Sequence, residues 1–108
     1  MNEHPLCTSL REAVTEHLEP IQRSFDAYQN AAFIPRPSEF FCLELCGEAG
    51  ELANLEKKVW KGKDIDQAYI ADEAADVLIA LMNYCNARGI DLAHAVSNKL
   101  IRIKPNLT

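Results

Sequence analysis

A group of acidic residues inside an apolar helical pattern is the feature of this sequence that could do chemistry. Read as an α-helix, residues 41–59 place Glu44, Glu48 and Glu51 within one narrow sector. The same sector is the apolar stripe of the helix, which an ordinary amphipathic helix fills with leucines. Its apolar members are Phe41, Leu45, Leu52, Leu55 and Val59.

A second acidic group follows on the next predicted helix and consists of Asp72, Glu73 and Asp76. Glu73 and Asp76 are three residues apart, so their side chains share one helix face. Carboxylates that are held close together and away from water repel each other, and a hard divalent cation is the simplest group that offsets the repulsion. The two acidic groups therefore predict a metal site.

A di-iron bundle is a competing use of paired carboxylates, and the sequence argues against it. Di-iron bundles use Glu-x-x-His motifs on two helices, whereas the second motif here is Glu73-Ala74-Ala75-Asp76. None of the three histidines, His4, His17 and His94, stands at that spacing. Ligand sets made only of oxygens favour Mg²⁺ or Mn²⁺ over iron, and Mg²⁺ usually binds together with a phosphate substrate.

Two glycines, Gly47 and Gly50, flank Glu48 inside the predicted helix. Each costs up to about 1 kcal/mol relative to alanine in a helix interior. Such glycines often mark the close approach of another backbone or of a ligand, and we expect an approach of that kind here.

Bulk properties limit the classes of function. The 108 residues predict a single domain, 1–108, and an apolar content of 48% is sufficient for a folded core. A net charge of −5 argues against nucleic acid as a partner. The sequence contains neither a signal-peptide pattern nor a run of about 18 apolar residues that would span a membrane, so we expect a cytoplasmic protein. The four cysteines lack zinc-site spacing and are predicted to be reduced core thiols.

Four helices account for the whole pattern, and the predicted class is all-α. We predict helices over about 7–32, broken near Pro20, over 38–61 with Ser38 as N-cap, over 64–88, and over 92–103 with Asp91 as N-cap. A capping box at 64–67 opens the third helix, and Gly62 and Gly89 end the second and third. The third helix is apolar on opposite sides, which predicts that a partner subunit covers one of them.

At these residues the sequence resembles the MazG-like all-α nucleoside triphosphate pyrophosphohydrolases. The signature of that family is ExxE, a spacer and ExxD, and it is similar to the segments 47–52 and 73–78 of this chain. Further similarity occurs at Tyr28-Gln29, at 89–92 and at Asn98-Lys99. The resemblance implies a four-helix, MazG-like bundle that is an obligate dimer or a dimer of dimers. It also implies Mg²⁺-dependent cleavage of a (deoxy)nucleoside triphosphate to the monophosphate and pyrophosphate.

Site residues carry over from the resemblance by position. Glu48, Glu51, Glu73 and Asp76 would hold Mg²⁺ or Mn²⁺, and Glu48 or Glu51 would be the catalytic base. Lys58, Lys61 and Lys99 are candidates for stabilising the leaving pyrophosphate, although solvated cations at helix ends are an equally good explanation of each. Asn83, which follows Asp76 on the same side of the helix, is a candidate for contact with the sugar or with a metal-bound water, and Asn98 is a further candidate for substrate contact. The candidates for a base pocket are Phe25, Tyr28, Gln29, Phe33 and Trp60, and core packing is the competing explanation for Phe25 and Trp60.

Two other functions stay open on this sequence. One is hydrolysis of phosphoribosyl-ATP by an enzyme of the same fold. The other is a non-catalytic helical dimer that binds nucleotide or a protein partner, which would bind metal without turning over any triphosphate.

Overall fold

Helices make up the computed structural model, which describes residues 3–106. Within that range there is no strand. Residues 5–32 form one continuous first helix, so the described chain folds as four helices. The predicted all-α, four-helix class is confirmed. The segments are α1 Pro5–Ala13, a π-helical turn Val14–Leu18, α2 Glu19–Ala32, α3 Ser38–Trp60, α4 Gln67–Arg88 and α5 Leu92–Arg102.

The first helix passes Pro20 without ending. A proline cannot donate a backbone hydrogen bond, and its ring crowds the carbonyl four residues earlier, here that of Glu16. The helix has widened to π geometry in the turn that contains Glu16, directly before α2. The predicted break near Pro20 is therefore a local change of helix type.

Helix ends follow the local sequence, with two corrections. Pro37 occupies the N-cap position of α3, and the predicted cap, Ser38, is the first helical residue. The predicted capping box at 64–67 is also wrong, because Asp66 alone caps α4 and its Oδ1 accepts a hydrogen bond from the Ala68 amide at 3.0 Å. Asp91 caps α5 as predicted, accepting from the His94 amide at 3.1 Å.

Both predicted glycine stops are confirmed. Gly62 and Gly89 have φ values of 93° and 68°, in the left-handed region that glycine adopts without steric cost. Gly89 turns the chain at the end of α4, so that the Ile90 amide can donate to the Cys85 carbonyl at 2.9 Å. After these turns, α4 packs against α3, and α5 packs against the first helix.

The helix pair α3–α4 is the main packing unit, α2 packs on α4, and α5 packs on the first helix. A buried glutamine, Gln22, ties three elements together. Its Nε2 donates to Asn86 Oδ1 at 3.0 Å and to the Ile90 carbonyl at 2.7 Å, and its Oε1 accepts from the Leu92 amide at 3.0 Å. This network fixes α2 against the end of α4 and the start of α5, and thereby positions the face of α2 that carries Gln29.

The molecule is flat, measuring 44 × 42 × 21 Å, with a radius of gyration of 16.7 Å, whereas a compact chain of this length has a radius of about 13 Å. The fully buried apolar residues are few. Its accessible surface of 8228 Å² exceeds the value expected for a compact monomer of 12.1 kDa by about 2,200 Å². A single chain thus leaves much of its apolar surface exposed. The buried apolar residues are Phe41, Ala80, Met82, Cys85 and Ala93.

The cysteines are free thiols, as predicted, but they are not all in the core. Cys85 is buried and Cys7 half-buried, whereas Cys42 and Cys46 are exposed on α3. They are exposed because the helical phase turns both away from α4.

Candidate active site

Helix α3 presents Glu48 to α4 because the residue lies in phase with the apolar positions of the helix. Phe41 is buried, Leu45 and Leu52 are half-buried, and Glu48 between them is half-buried as well. Glu44 and Glu51 lie at the edges of the same sector and are exposed. The seam between the two helices therefore contains a carboxylate where packing alone would favour an apolar side chain.

Three carboxylates converge in this seam. One oxygen each from Glu48, Glu73 and Asp76 lies within 4.8 Å of the others, and all three side chains are half-buried. Glu73 and Asp76 come from one face of α4 and meet Glu48 of α3. The fourth predicted ligand, Glu51, is not a member of this three-residue cluster, although it lies close enough to Glu73 to affect its ionisation.

The crowding shows in the ionisation of Glu73. Its pKa is raised to about 7, chiefly because a protonated Glu73 would donate a hydrogen bond to Glu48, then because of burial, and then because Glu51 offers a second acceptor and both neighbours are negatively charged. Oε2 of Glu48 and Oε2 of Glu73 are buried and have no hydrogen-bond partner among the described residues. Buried carboxylate oxygens that lack hydrogen-bond partners are suitable ligands for a hard divalent cation. Glu48, Glu73 and Asp76 therefore fit such an ion.

The two glycines beside Glu48 do not mark a close approach within the described chain. A Cβ atom added at Gly47 or Gly50 would have no contact within 4 Å. Both positions lie outside the sector that faces α4. The expected approach is therefore not made by another part of residues 3–106.

A cleft adjoins the carboxylate cluster at the point where α2, the connector 33–37, α3 and α4 meet. Its volume is about 390 Å³. Glu44 lines it one turn before Glu48, and Ile79 lines it one turn after Asp76, which places the cleft directly beside the cluster. A smaller polar hollow of about 270 Å³ shares Gln29, Arg36 and Asn83 with it.

Three of the predicted substrate-binding residues, Gln29, Phe33 and Asn83, line this cleft. Tyr28 contacts Phe33 edge to face, with ring centroids 5.3 Å apart, but lines a separate apolar groove with Phe25 on α2. The chain thus brings Gln29 and Phe33, two of the five base-pocket candidates, together with Asn83 of α4, and Tyr28 lies at the margin of the cleft.

The remaining predicted substrate residues do not line the cleft. Trp60 is 85% exposed at the end of α3, so the alternative of core packing is wrong for it within this chain. Lys58 is half-buried on α3, and Lys61 is exposed just past its end. Asn98 and Lys99 are exposed on α5, which packs on the first helix.

The sequence predicts no substrate contact for Arg36 and Phe40 of the cleft wall, and it predicts Glu44 only as part of the acidic group on α3. The Arg36 guanidinium lies 4.7 Å from the centroid of the Phe40 ring, a cation–π contact that makes a flat wall. Glu44 shares the acidic sector of α3, which is a sequence signal for its position. No local pattern indicates the pairing of Arg36 with Phe40.

A known protein family matches about two thirds of the chain. The family described as MazG nucleotide pyrophosphohydrolase domain matches residues 37–108, a range that contains both acidic motifs. Comparisons with curated proteins and with solved structures gave no match. None of the helices within residues 3–106 combines the length and the apolar character of a membrane span.

Proposed function

Because this chain belongs to the MazG nucleotide pyrophosphohydrolase domain family, we propose that it hydrolyses (deoxy)nucleoside triphosphates to the monophosphate and pyrophosphate. The proposed role is housecleaning or control of the nucleotide pool, with Mg²⁺, or Mn²⁺ in its place, as the metal. The observation that carries the proposal is the convergence of Glu48, Glu73 and Asp76 beside a cleft with aromatic walls.

The carboxylates divide into two roles in this proposal. Glu48, Glu73 and Asp76, with Glu51 beside them, would hold the divalent cation, which supplies charge neutralisation for the triphosphate and for the leaving pyrophosphate. Glu51 is more exposed than Glu48 and lies close enough to Glu73 to raise its pKa. We therefore assign the proton of the attacking water to Glu51 and leave Glu48 as its alternative. The water oxygen bonds to phosphorus, the α–β anhydride bond breaks, and pyrophosphate leaves with the electron pair.

The order of residues along α3 supports one direction for the substrate. The cleft lies toward the N-terminal end, at Glu44, the carboxylates follow, and the half-buried Lys58 comes seven residues after Glu51, about 10 Å further along the helix. The base would occupy the cleft, and Lys58 would stabilise the pyrophosphate. Lys61, Trp60, Asn98 and Lys99 remain predicted contacts that would require substrate or a second copy to reach them.

We also propose that the protein is a homo-oligomer, a dimer or a tetramer, of single-domain chains. The surface in excess of a compact monomer, about 2,200 Å² for each chain, would give a pair of chains an interface within the range of obligate homodimers. The exposed apolar residues on the outer side of α3 and on α4 support this, among them Leu43, Trp60, Leu78 and Ile79.

The experiment that tests the function is product analysis over the eight common nucleoside and deoxynucleoside triphosphates, with Mg²⁺ present and after chelation. We expect monophosphate and pyrophosphate in equal amounts, formed only with the metal. Release of inorganic phosphate instead would contradict the assigned bond cleavage. Phosphoribosyl-ATP is included as a ninth substrate, and exclusive turnover of it would favour that alternative. Metal binding without any turnover would favour the non-catalytic dimer.

A further inference from the structure

We infer that Asn83 and Gln29 select the nucleobase in the cleft, and that they favour a base with an exocyclic amino group, cytosine or adenine, over its keto counterpart. The inference rests on the proposed function, because it assigns the base of the nucleotide substrate to this cleft. The selectivity follows from two hydrogen-bonding groups, Oδ1 of Asn83 and Nε2 of Gln29, that have no partner shown within residues 3–106.

The first observation is an unsatisfied acceptor on a buried side chain. Asn83 is only 8% exposed, and its Oδ1 has no hydrogen-bond partner among the described residues. Its Nδ2 donates to Gln29 Oε1 at 3.3 Å. Buried polar atoms in folded proteins nearly always have a partner, so a buried carbonyl oxygen without one indicates a partner from outside the chain.

Position along α4 assigns that partner to the base. Asn83 lines both the cleft and the smaller polar hollow. It comes seven residues after Asp76, which puts it two helical turns, about 10 Å, from the carboxylate cluster on nearly the same side of the helix. In a nucleotide whose phosphates lie at the cluster, the sugar spans this separation and the base lies beside Asn83.

The walls of the cleft also suit a base. Phe33 and Phe40 both line it, and the guanidinium of Arg36 lies against the Phe40 ring. Flat aromatic and guanidinium surfaces stack on every nucleobase and do not discriminate between them. Discrimination therefore falls to the amide groups at the edge of the stacked base.

The amide pair defines a donor–acceptor pattern. With Asn83 Nδ2 bonded to Gln29 Oε1, an acceptor remains on Asn83 and a donor, Nε2, remains on Gln29. Cytosine and adenine present an amino donor next to a ring-nitrogen acceptor, which complements this pair. The keto bases carry a carbonyl oxygen in place of the amino group and a ring N–H donor in place of the ring-nitrogen acceptor. Their carbonyl oxygen would therefore face the Asn83 oxygen, and their N–H would face the Gln29 amino group. The Asp26 carboxylate, which lines the hollow, is a second acceptor and opposes a keto oxygen as well.

The test uses two matched pairs of substrates that differ only at this group: dCTP with dUTP, and dATP with dITP. We expect kcat/KM for the amino member to exceed that of the keto member by about tenfold or more, the size of one neutral hydrogen bond. Asn83→Asp retains the acceptor and should retain the preference. Asn83→Leu, of similar shape, should bring the ratio close to one. A wild-type ratio near one, or a ratio that Asn83→Leu leaves unchanged, would overturn the inference.

A second variant keeps the test decisive if the buried Asn83→Leu substitution prevents folding, which a thermal melt would show. Gln29→Glu replaces the free donor by an acceptor at a half-buried position. It should move the preference toward dUTP, which donates from its ring nitrogen. A change in the ratio of CTP to dCTP without any change in the amino-to-keto ratio would assign the pair to the sugar and overturn the inference.

Binding of the products separates this inference from the proposed function. The affinities of dCMP and dUMP, measured by calorimetry, require neither turnover nor metal. Hydrolysis of triphosphates with equal affinity for the two monophosphates would overturn the inference and leave the function standing. Preferential binding of dCMP without hydrolysis of any triphosphate would support the amide pair and contradict the function.

Discussion

The two sides of α3 each depart, in a different way, from the usual amphipathic helix, which buries apolar residues and exposes polar ones. The inner side, against α4, carries Glu48 in a seam with Glu73 and Asp76. The outer side carries Leu43, which is 75% exposed, together with the thiols of Cys42 and Cys46. An acidic side chain thus lies among the inward-facing Phe41, Leu45 and Leu52, while apolar surface is exposed on the opposite side of the same helix.

Neither side of α3 is therefore satisfied by residues 3–106 alone. On the inner side, Oε2 of Glu48 and Oε2 of Glu73 are buried and have no hydrogen-bond partner within residues 3–106. A divalent cation would bind these oxygens. The outer side has apolar surface and two glycines at which an added Cβ would meet no atom of residues 3–106 within 4 Å, and a second copy could cover this surface. The predictions below change one side at a time, so that each can fail separately.

The largest effect is expected on the inner side. Glu48→Gln should lower kcat by at least about a hundredfold, since it removes a carboxylate from the proposed metal site. The melting temperature of the metal-free protein should stay the same or rise, because one of several repelling charges is gone. Glu56→Gln is the matched control, an equal change of charge at an exposed position on the same helix, and should leave kcat unchanged. A large loss of melting temperature in metal-free Glu48→Gln would mark Glu48 as structural.

A substitution on the outer side of α3 should change the oligomeric state of the protein. A buried leucine contributes about 1.5–3 kcal/mol, so Leu43→Glu, acting on two copies, should weaken association by more than about a hundredfold. Sedimentation or light scattering should show an oligomer for the wild type and a species near 12.1 kDa for the variant. Thr15→Glu adds the same charge at an exposed position of the π-helical turn and should leave the oligomer intact. An unchanged mass for Leu43→Glu would exclude the outer side of α3 as the interface.

The smallest effect is a pH dependence of stability that belongs to the inner side. The pKa of Glu73 is raised from 4.5 to about 7 in the metal-free fold. Between these pH values the folded state keeps a proton that the unfolded state has lost, so the contribution of this group to stability falls as pH rises and is constant above about 7.

The measurement is the difference in melting temperature between the metal-free wild type and Glu73→Gln, which mimics the protonated form. The wild type should lose melting temperature relative to the variant as pH rises from 4.5 to 7. Saturating Mg²⁺ should reverse this trend, because the cation favours the ionised carboxylate and competes with the proton. A difference that does not vary over this range would show that Glu73 is not protonated in the fold.

Local chemistry made much of the fold predictable. The glycine stops at 62 and 89 and the Asp91 cap depend on conformational preferences and hydrogen bonds of a few adjacent residues. The cap at Ser38 was wrong by one residue because Pro37 has an extended backbone conformation and can itself precede the first helical turn. Such errors are confined to helix ends.

Only those features of the candidate site that follow from the spacing of residues along one helix were predictable from the sequence. Spacing along each helix predicts that Glu48 faces a partner and that Glu73 and Asp76 share a face. It does not predict that Glu51 lies outside the cluster, nor that Trp60 is exposed. These depend on the exact rotation of α3 against α4, which side-chain packing sets.

The four helices, their ends and the carboxylates on an apolar face can all be read from the sequence, because each of these features depends on neighbours within about two turns. Only the tertiary structure decided which carboxylates converge, that Arg36 stacks on Phe40, and that Gln29 of α2 meets Asn83 of α4 across 54 residues of chain. Contacts of that separation result from the packing of whole helices, which no local pattern contains.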